Sequence, residues 1–202
     1  MVVEVVPYSA DWAHQFGLVA VALRHALRDV PSARIEHVGS TSVPGLAAKP
    51  ILDIDVIVEP AHLRSAVAAL EAIGYTHRGD LGVTGREAFH APDQGPPRNV
   101  YVCEAGTLNV RNHLAVRDVL RRRDDLRDEY AAVKLSLATE PEMNIETYIA
   151  RKSQVLQRGA RRVGSHRGRA SAYLEVERPL RLTYTGRRRS DARPTAGGRP
   201  AE

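Results

Sequence analysis

Asp53-Ile54-Asp55 places two carboxylates two residues apart inside a β-branched run, Ile-Leu-Asp-Ile-Asp-Val-Ile-Val over 51–58. In a strand, residues i and i+2 project to the same face, so Asp53 and Asp55 stand together while Ile54 and Val56 point the other way. Their Cα atoms would lie about 7 Å apart, where two anions repel unless a cation, an arginine or water compensates. Mg²⁺, or Mn²⁺, suits such a pair. It takes hard oxygen ligands and keeps positions open for water and substrate phosphates. Upstream, His37-Val38-Gly39-Ser40-Thr41 ends a short alternating segment, with twelve residues between Ser40 and Asp53. Gly39 permits close backbone approach, and Ser40 and Thr41 bring hydroxyls and amides suited to phosphate oxygens. A nucleoside triphosphate is therefore the expected partner. Phosphoryl and nucleotidyl transfer ask a protein chiefly to position reactants and neutralise charge.

Other residues admit two readings. Lys49 and Lys152 are of a type to contact phosphates and equally of a type to stand solvated on the surface. Arg86 either neutralises phosphate from a neighbouring strand or pairs with Glu87 or Asp80. His37 reads as a hydrogen-bonded structural group before a general base, and Cys103 as a packed thiol. Arg117 and Asp118, in a run that continues through Arg121, Arg122 and Arg123, read as the charged solvent face of a helix.

The elements that must position these groups follow from periodicity. Trp12, Phe16, Val19, Leu23, Leu27 and Val30 recur at steps of three and four, which predicts a first helix from Ser9 closed by Pro31. Alternation over 34–38 predicts a strand leading into Gly39, and 51–58 is the strongest strand signal. Pro60 opens a helix with Leu63, Val67, Leu70 and Ile73 on one face and Gly74 as its stop. Two shorter strands are predicted at 86–90 and 99–103, joined by the Pro/Gly-rich stretch 92–97. Helical periodicity over 112–123, 125–138 and 145–161 makes the second half mostly helical.

These residues resemble a known signature. Gly-Ser, twelve residues, then Asp-hydrophobic-Asp-hydrophobic is similar to the motif of the nucleotidyltransferase superfamily. More closely, Ile35-Glu36-His37-Val38-Gly39-Ser40-Thr41-Ser42-Val43-Pro44-Gly45-Leu46-Ala47-Ala48-Lys49-Pro50 resembles the hallmark of the GrpB family, also written UPF0157. Gly85-Arg86-Glu87-Ala88-Phe89, Val116-Arg117-Asp118-Val119-Leu120-Arg121 and Tyr148-Ile149-Ala150-Arg151-Lys152-Ser153 agree with it. The resemblance covers about residues 3–160 and implies an α+β fold, a small mixed sheet packed by helices. It also implies a nucleotide site, with Asp53 and Asp55 on the metal and Gly39 and Ser40 on the phosphates, without naming an acceptor. Transfer of a nucleotidyl group to a small-molecule or protein hydroxyl or amine is the first expectation, and a non-catalytic nucleotide-binding or protein-interaction domain with an incomplete metal site is the alternative. The superfamily usually places a third carboxylate on a later strand. The matching strand here reads Arg98-Asn99-Val100-Tyr101-Val102, without a central acid, and Glu104 at its end is the candidate substitute.

Charge bounds the alternatives. The 202-residue chain carries a net +5, but nine arginines and only four acids lie beyond residue 164, so residues 1–164 balance at 20 basic and 20 acidic groups. A neutral globular part of 1–164 followed by a basic, disordered tail of 165–202 is expected, with nucleic acid not the main partner. The single cysteine fits a reducing compartment, the cytoplasm, and no stretch approaches the roughly 18 apolar residues of a membrane span.

Overall fold

The computed structural model describes residues 4–140 together with Thr147 and Arg151. Helix α1 (Asp11–Ala26) buries Trp12, Val19, Ala20 and Leu23, the stripe its periodicity requires. It ends before Leu27 and Val30, which are nonetheless buried beyond its last turn. Strands β1 (Arg34–Val38) and β2 (Leu52–Val58) follow, separated by a single 3-10 turn at Ser40–Ser42. After a 3-10 turn at Pro60–His62 comes α2 (Leu63–Ala72). The chain continues through β3 (Thr76–His77), β4 (Arg86–His90), β5 (Arg98–Glu104), α3 (Leu108–Arg122) and α4 (Asp124–Thr139).

The five strands form one mixed sheet in the order β1-β2-β5-β4-β3. β2 and β5 run parallel at its centre, and the other pairs are antiparallel. The α+β expectation therefore holds. The register fixes the faces: Asp53 lies between Val38 and Asn99, and Asp55 between Glu36 and Tyr101. On the opposite face Ile54, Val56, Val58, Val100 and Val102 pack with α1 and α2 into the main core, completed by Trp12, Leu23, Leu70 and Phe89. Each such side chain contributes about 1.5–3 kcal/mol of transfer free energy when fully buried. Smaller clusters hold the second half in place. Val43 and Leu46, just after the 3-10 turn, pack on Leu120, Leu126 and Tyr130 of α3 and α4, and Val110 of α3 packs on Ile57 and Cys103.

Two further elements differ from expectation. Helix α3 begins at Leu108, four residues before the periodic signal, because Val110 is buried against the sheet. The two-residue strand β3 has no length in which a period can show. The helix expected over 145–161, the residue Lys152 and the tail 165–202 lie outside the described residues, apart from Thr147 and Arg151, which are helical. Among the described residues no helix is long and apolar enough to cross a membrane.

Candidate functional site

Gly39 leaves β1 with φ 68° and ψ −171°, a backbone region that side chains other than hydrogen all but exclude. A Cβ here would lie 2.9 Å from Cβ and Cγ of Asp53 and closer still to its Oδ2. The glycine thus brings the turn directly against the first carboxylate. Sequence spacing alone predicted this pairing; the antiparallel register of Val38 with Asp53 supplies its geometry.

The two carboxylates share a face but differ in depth. Asp53 is half-buried at the rim, where its Oδ1 accepts a hydrogen bond from Asn99 Nδ2 at 2.8 Å. Asp55 is fully buried; its Oδ2 accepts from His113 Nδ1 at 2.8 Å, which places a proton on Nδ1. Its Oδ1 is buried and has no hydrogen-bond partner among the described residues. A carboxylate oxygen removed from water and left unpartnered is costly, and a cation is the partner its charge calls for. The donor set fits Mg²⁺ or Mn²⁺: hard oxygens, two from the protein, the rest from water and phosphate. Among the described residues no group of three or more His, Cys, Asp or Glu side chains is arranged to hold a metal.

Ser40 stands at the start of the 3-10 turn, and its Oγ accepts from Lys134 Nζ at 3.0 Å. Lys134 is 1% exposed, with its ammonium 4.6 Å from the centroid of the Tyr130 ring. A buried cation directed at a Gly-Ser turn is an arrangement suited to phosphate oxygens, and the sequence did not disclose it because 94 residues separate the partners. His113 and Asn99 were missed for the same reason. The signal in hindsight is the placement of Lys134 on the inward stripe of α4 with Leu126, Tyr130 and Leu137.

The remaining predicted residues fall in different places. Thr41 is buried, and its hydroxyl donates to Ile51 O at 3.3 Å, so toward His37 Nε2, 3.1 Å away, it must accept. Its side chain therefore braces the turn rather than facing the cleft. His37 stacks on Phe16 and is held at a pKa of about 4, by burial first and then by the charges of Arg121 and Arg117, so it is neutral and structural as read. Lys49 is half-buried on the loop before β2. Arg86 is buried rather than paired at the surface: it lies over the Tyr101 ring, reaches the Asp80 carbonyl at 3.4 Å, and has its Nε unpartnered among the described residues. Glu87 pairs with His77 instead. Burial pushes the Tyr101 hydroxyl up to about 12 and the Cys103 thiol higher still, so neither ionises near neutrality.

Two expectations are corrected. Glu104 cannot stand in for a third carboxylate. It pairs with Val58, five residues along the strands from the Asp53–Asn99 pair or about 16 Å, and its side chain alternates to the opposite face. Arg117 and Arg121 are not simply a solvated helix face. Arg117 donates to Glu36 Oε2 at 2.7 Å and to the His37 carbonyl at 3.2 Å, and Arg121 donates twice to the Ser42 carbonyl, at 3.0 and 2.7 Å. Together they tie α3 to both sides of the Gly-Ser turn.

The family model described as GrpB protein matches residues 2–162. This chain belongs to the GrpB family. The GrpB chain is 36% identical over 159 residues to UPF0157 protein BH1888 of Halalkalibacterium halodurans, covering 77% of this chain and 79% of that one. It is 33% identical over 153 residues to UPF0157 protein YqkA of Bacillus subtilis, covering 75% of this chain but spanning only 44% of that relative. The crystal structure of the conserved protein GrpB from Enterococcus faecalis aligns with a TM-score of 0.65 and 32% identity, over 75% of this chain and 94% of that one. The poly(U) polymerase Cid1 with MgGTP bound aligns with a TM-score of 0.55 at 16% identity, over 75% of this chain and 51% of that one. That likeness places the GrpB chain in the nucleotidyltransferase fold and carries no more than the fold.

Proposed function

We propose that this GrpB protein binds a nucleoside triphosphate together with Mg²⁺ or Mn²⁺ and transfers its nucleotidyl group to a hydroxyl or amine of a small-molecule or protein acceptor. The observation that carries the reading is the buried Oδ1 of Asp55, unpartnered among the described residues, on one face with Asp53 and beside the Gly39–Ser40 turn that Lys134 reaches. Asp53 and Asp55 would hold the cation, which when bound supplies neutralising charge to the phosphates. Gly39 lets the backbone approach the phosphates, and Ser40 and Lys134 donate to their oxygens. In the transfer, the acceptor atom forms a bond to the α-phosphorus, the bond from that phosphorus to the bridging oxygen of pyrophosphate breaks, and the acceptor loses its proton. The chain's part is to hold the reactants in line and to stabilise the accumulating charge.

A thermal-shift titration with ATP, GTP, CTP and UTP, with and without Mg²⁺ or Mn²⁺, tests the site. A metal-dependent rise in melting temperature that disappears in an Asp53→Asn/Asp55→Asn variant is expected, and no shift with any nucleotide would refute the reading. Asn99, standing beside Asp53 where an acid would complete a triad, favours a second reading: a nucleotide-binding or protein-interaction domain that does not turn over. The two separate on radiolabelled NTP incubated with cell lysate, since a transferred label excludes the second.

A further inference from the structure

We propose that the site takes one divalent cation rather than two, and that Asn99 sets that number. The inference rests on the reading of Asp53 and Asp55 as cation ligands and goes beyond it. Two ions about 3.5–4 Å apart, as in two-metal phosphoryl-transfer sites, bring four positive charges into one cleft and need carboxylates on several sides. The sheet face offers four positions around the pair from which a side chain can reach. Val38, across from Asp53 on β1, is apolar. Glu36, across from Asp55, is already charge-paired with Arg117 at 2.7 Å. Tyr101, beside Asp55 on β5, carries no carboxylate and lies with its ring under the Arg86 guanidinium, 4.7 Å away.

The fourth position is Asn99, one strand spacing from Asp53. Its side chain is neutral, and its amide nitrogen donates to Asp53 Oδ1 at 2.8 Å, so it occupies a lone pair of Asp53 rather than adding a negative charge. Glu104 lies at the far end of β5 on the other face. His113, from α3, is turned with Nδ1 donating to Asp55 Oδ2 and adds no carboxylate. Among the described residues the cleft therefore presents two carboxylates that are not already paired with an arginine, the ligand set of a single divalent ion. Asn99→Asp, a change of one atom at an exposed position, adds the carboxylate a second ion needs.

The test counts Mn²⁺ bound to the full chain. Protein is mixed with an equal amount of ATP analogue carrying a methylene in place of the α,β-bridging oxygen. Free Mn²⁺ is then read from its electron paramagnetic resonance signal against a blank that contains the analogue without protein, at concentrations low enough that the analogue alone retains no Mn²⁺. One protein-dependent Mn²⁺ per chain is expected for the wild type, one for Asn99→Ala, two for Asn99→Asp and none for Asp53→Asn/Asp55→Asn. Two ions in the wild type or in Asn99→Ala, or only one in Asn99→Asp with its circular dichroism unchanged, would overturn the proposal. No retention of Mn²⁺ by the wild type would overturn the underlying metal reading as well, which distinguishes that failure from an error in the count.

Discussion

At the scale of single residues, the geometry around Gly39 leaves no room for a side chain. Its φ of 68° with ψ near 180° is a conformation that costs other residues about 1–3 kcal/mol, and the added Cβ would also press on Asp53. Gly39→Ala should lower the melting temperature and abolish the nucleotide- and metal-dependent shift; a variant that keeps the full shift would remove Gly39 from the site. His37 makes a second prediction, on pH. Its folded pKa of about 4 lies below the unfolded value of 6.5, so protonation favours the unfolded chain. The stabilisation from the neutral ring is complete above about pH 6.5 and is lost as pH falls toward 4, on the order of 2–3 kcal/mol over that window. Denaturant melts between pH 7 and 4 should show a smaller loss for His37→Gln than for wild type. At this scale the sequence disclosed what is local: Asp53 with Asp55 through strand alternation, and Gly39 with Ser40 through spacing. Asn99, His113 and Lys134 were hidden because their partners lie 46, 58 and 94 residues away, and no short-range pattern encodes which face of a helix docks on which end of a sheet.

Among the elements, α1, β1, β2 and α2 were legible because each carries a strong period and has a Gly or Pro within five residues of its end, and the main core joins their apolar faces as those periods demand. Leu23, 0% exposed in that core, should cost about 2–5 kcal/mol when cut to alanine, measured by urea denaturation; a loss under 1 kcal/mol would mean that the α1 face is less tightly packed than described. Helices α3 and α4 were read as helices, but their polar residues misled. Charged residues at helical spacing usually face water, and here tertiary contacts redirect Arg117 to Glu36, Arg121 to Ser42 and Lys134 to Ser40. This arrangement makes α3 and α4 part of the Gly-Ser turn rather than a passive buttress. Lys134→Met keeps the length of the stem while removing its charge. It should weaken the nucleotide-dependent thermal shift to an apparent affinity at least about tenfold poorer, equivalent to one charge-assisted hydrogen bond of about 1.5–3 kcal/mol. An unchanged nucleotide titration in that variant would confine Lys134 to packing.

For the whole molecule, the distribution of charge separates two functions that a net +5 would merge. Residues 1–164 balance, and the sheet face that carries the candidate site is acidic at its centre and ringed by Arg117, Arg121 and Lys134. Such a field suits a cation-bound triphosphate, and among the described residues it is not the long basic stripe that a nucleic-acid backbone needs. The nine arginines beyond residue 164 are the part of the chain able to attract polyanions at large, and attraction of that kind rests on counterion release and fades steeply with salt. Retention on heparin at low ionic strength should therefore belong to residues 165–202. A chain ending at residue 164 should elute at markedly lower salt while giving the same melting-temperature rise with nucleotide and Mg²⁺ as the full chain. If truncation instead removed the nucleotide response, the site would have to draw on residues beyond 164, and the segregation of charge would describe one binding surface rather than two.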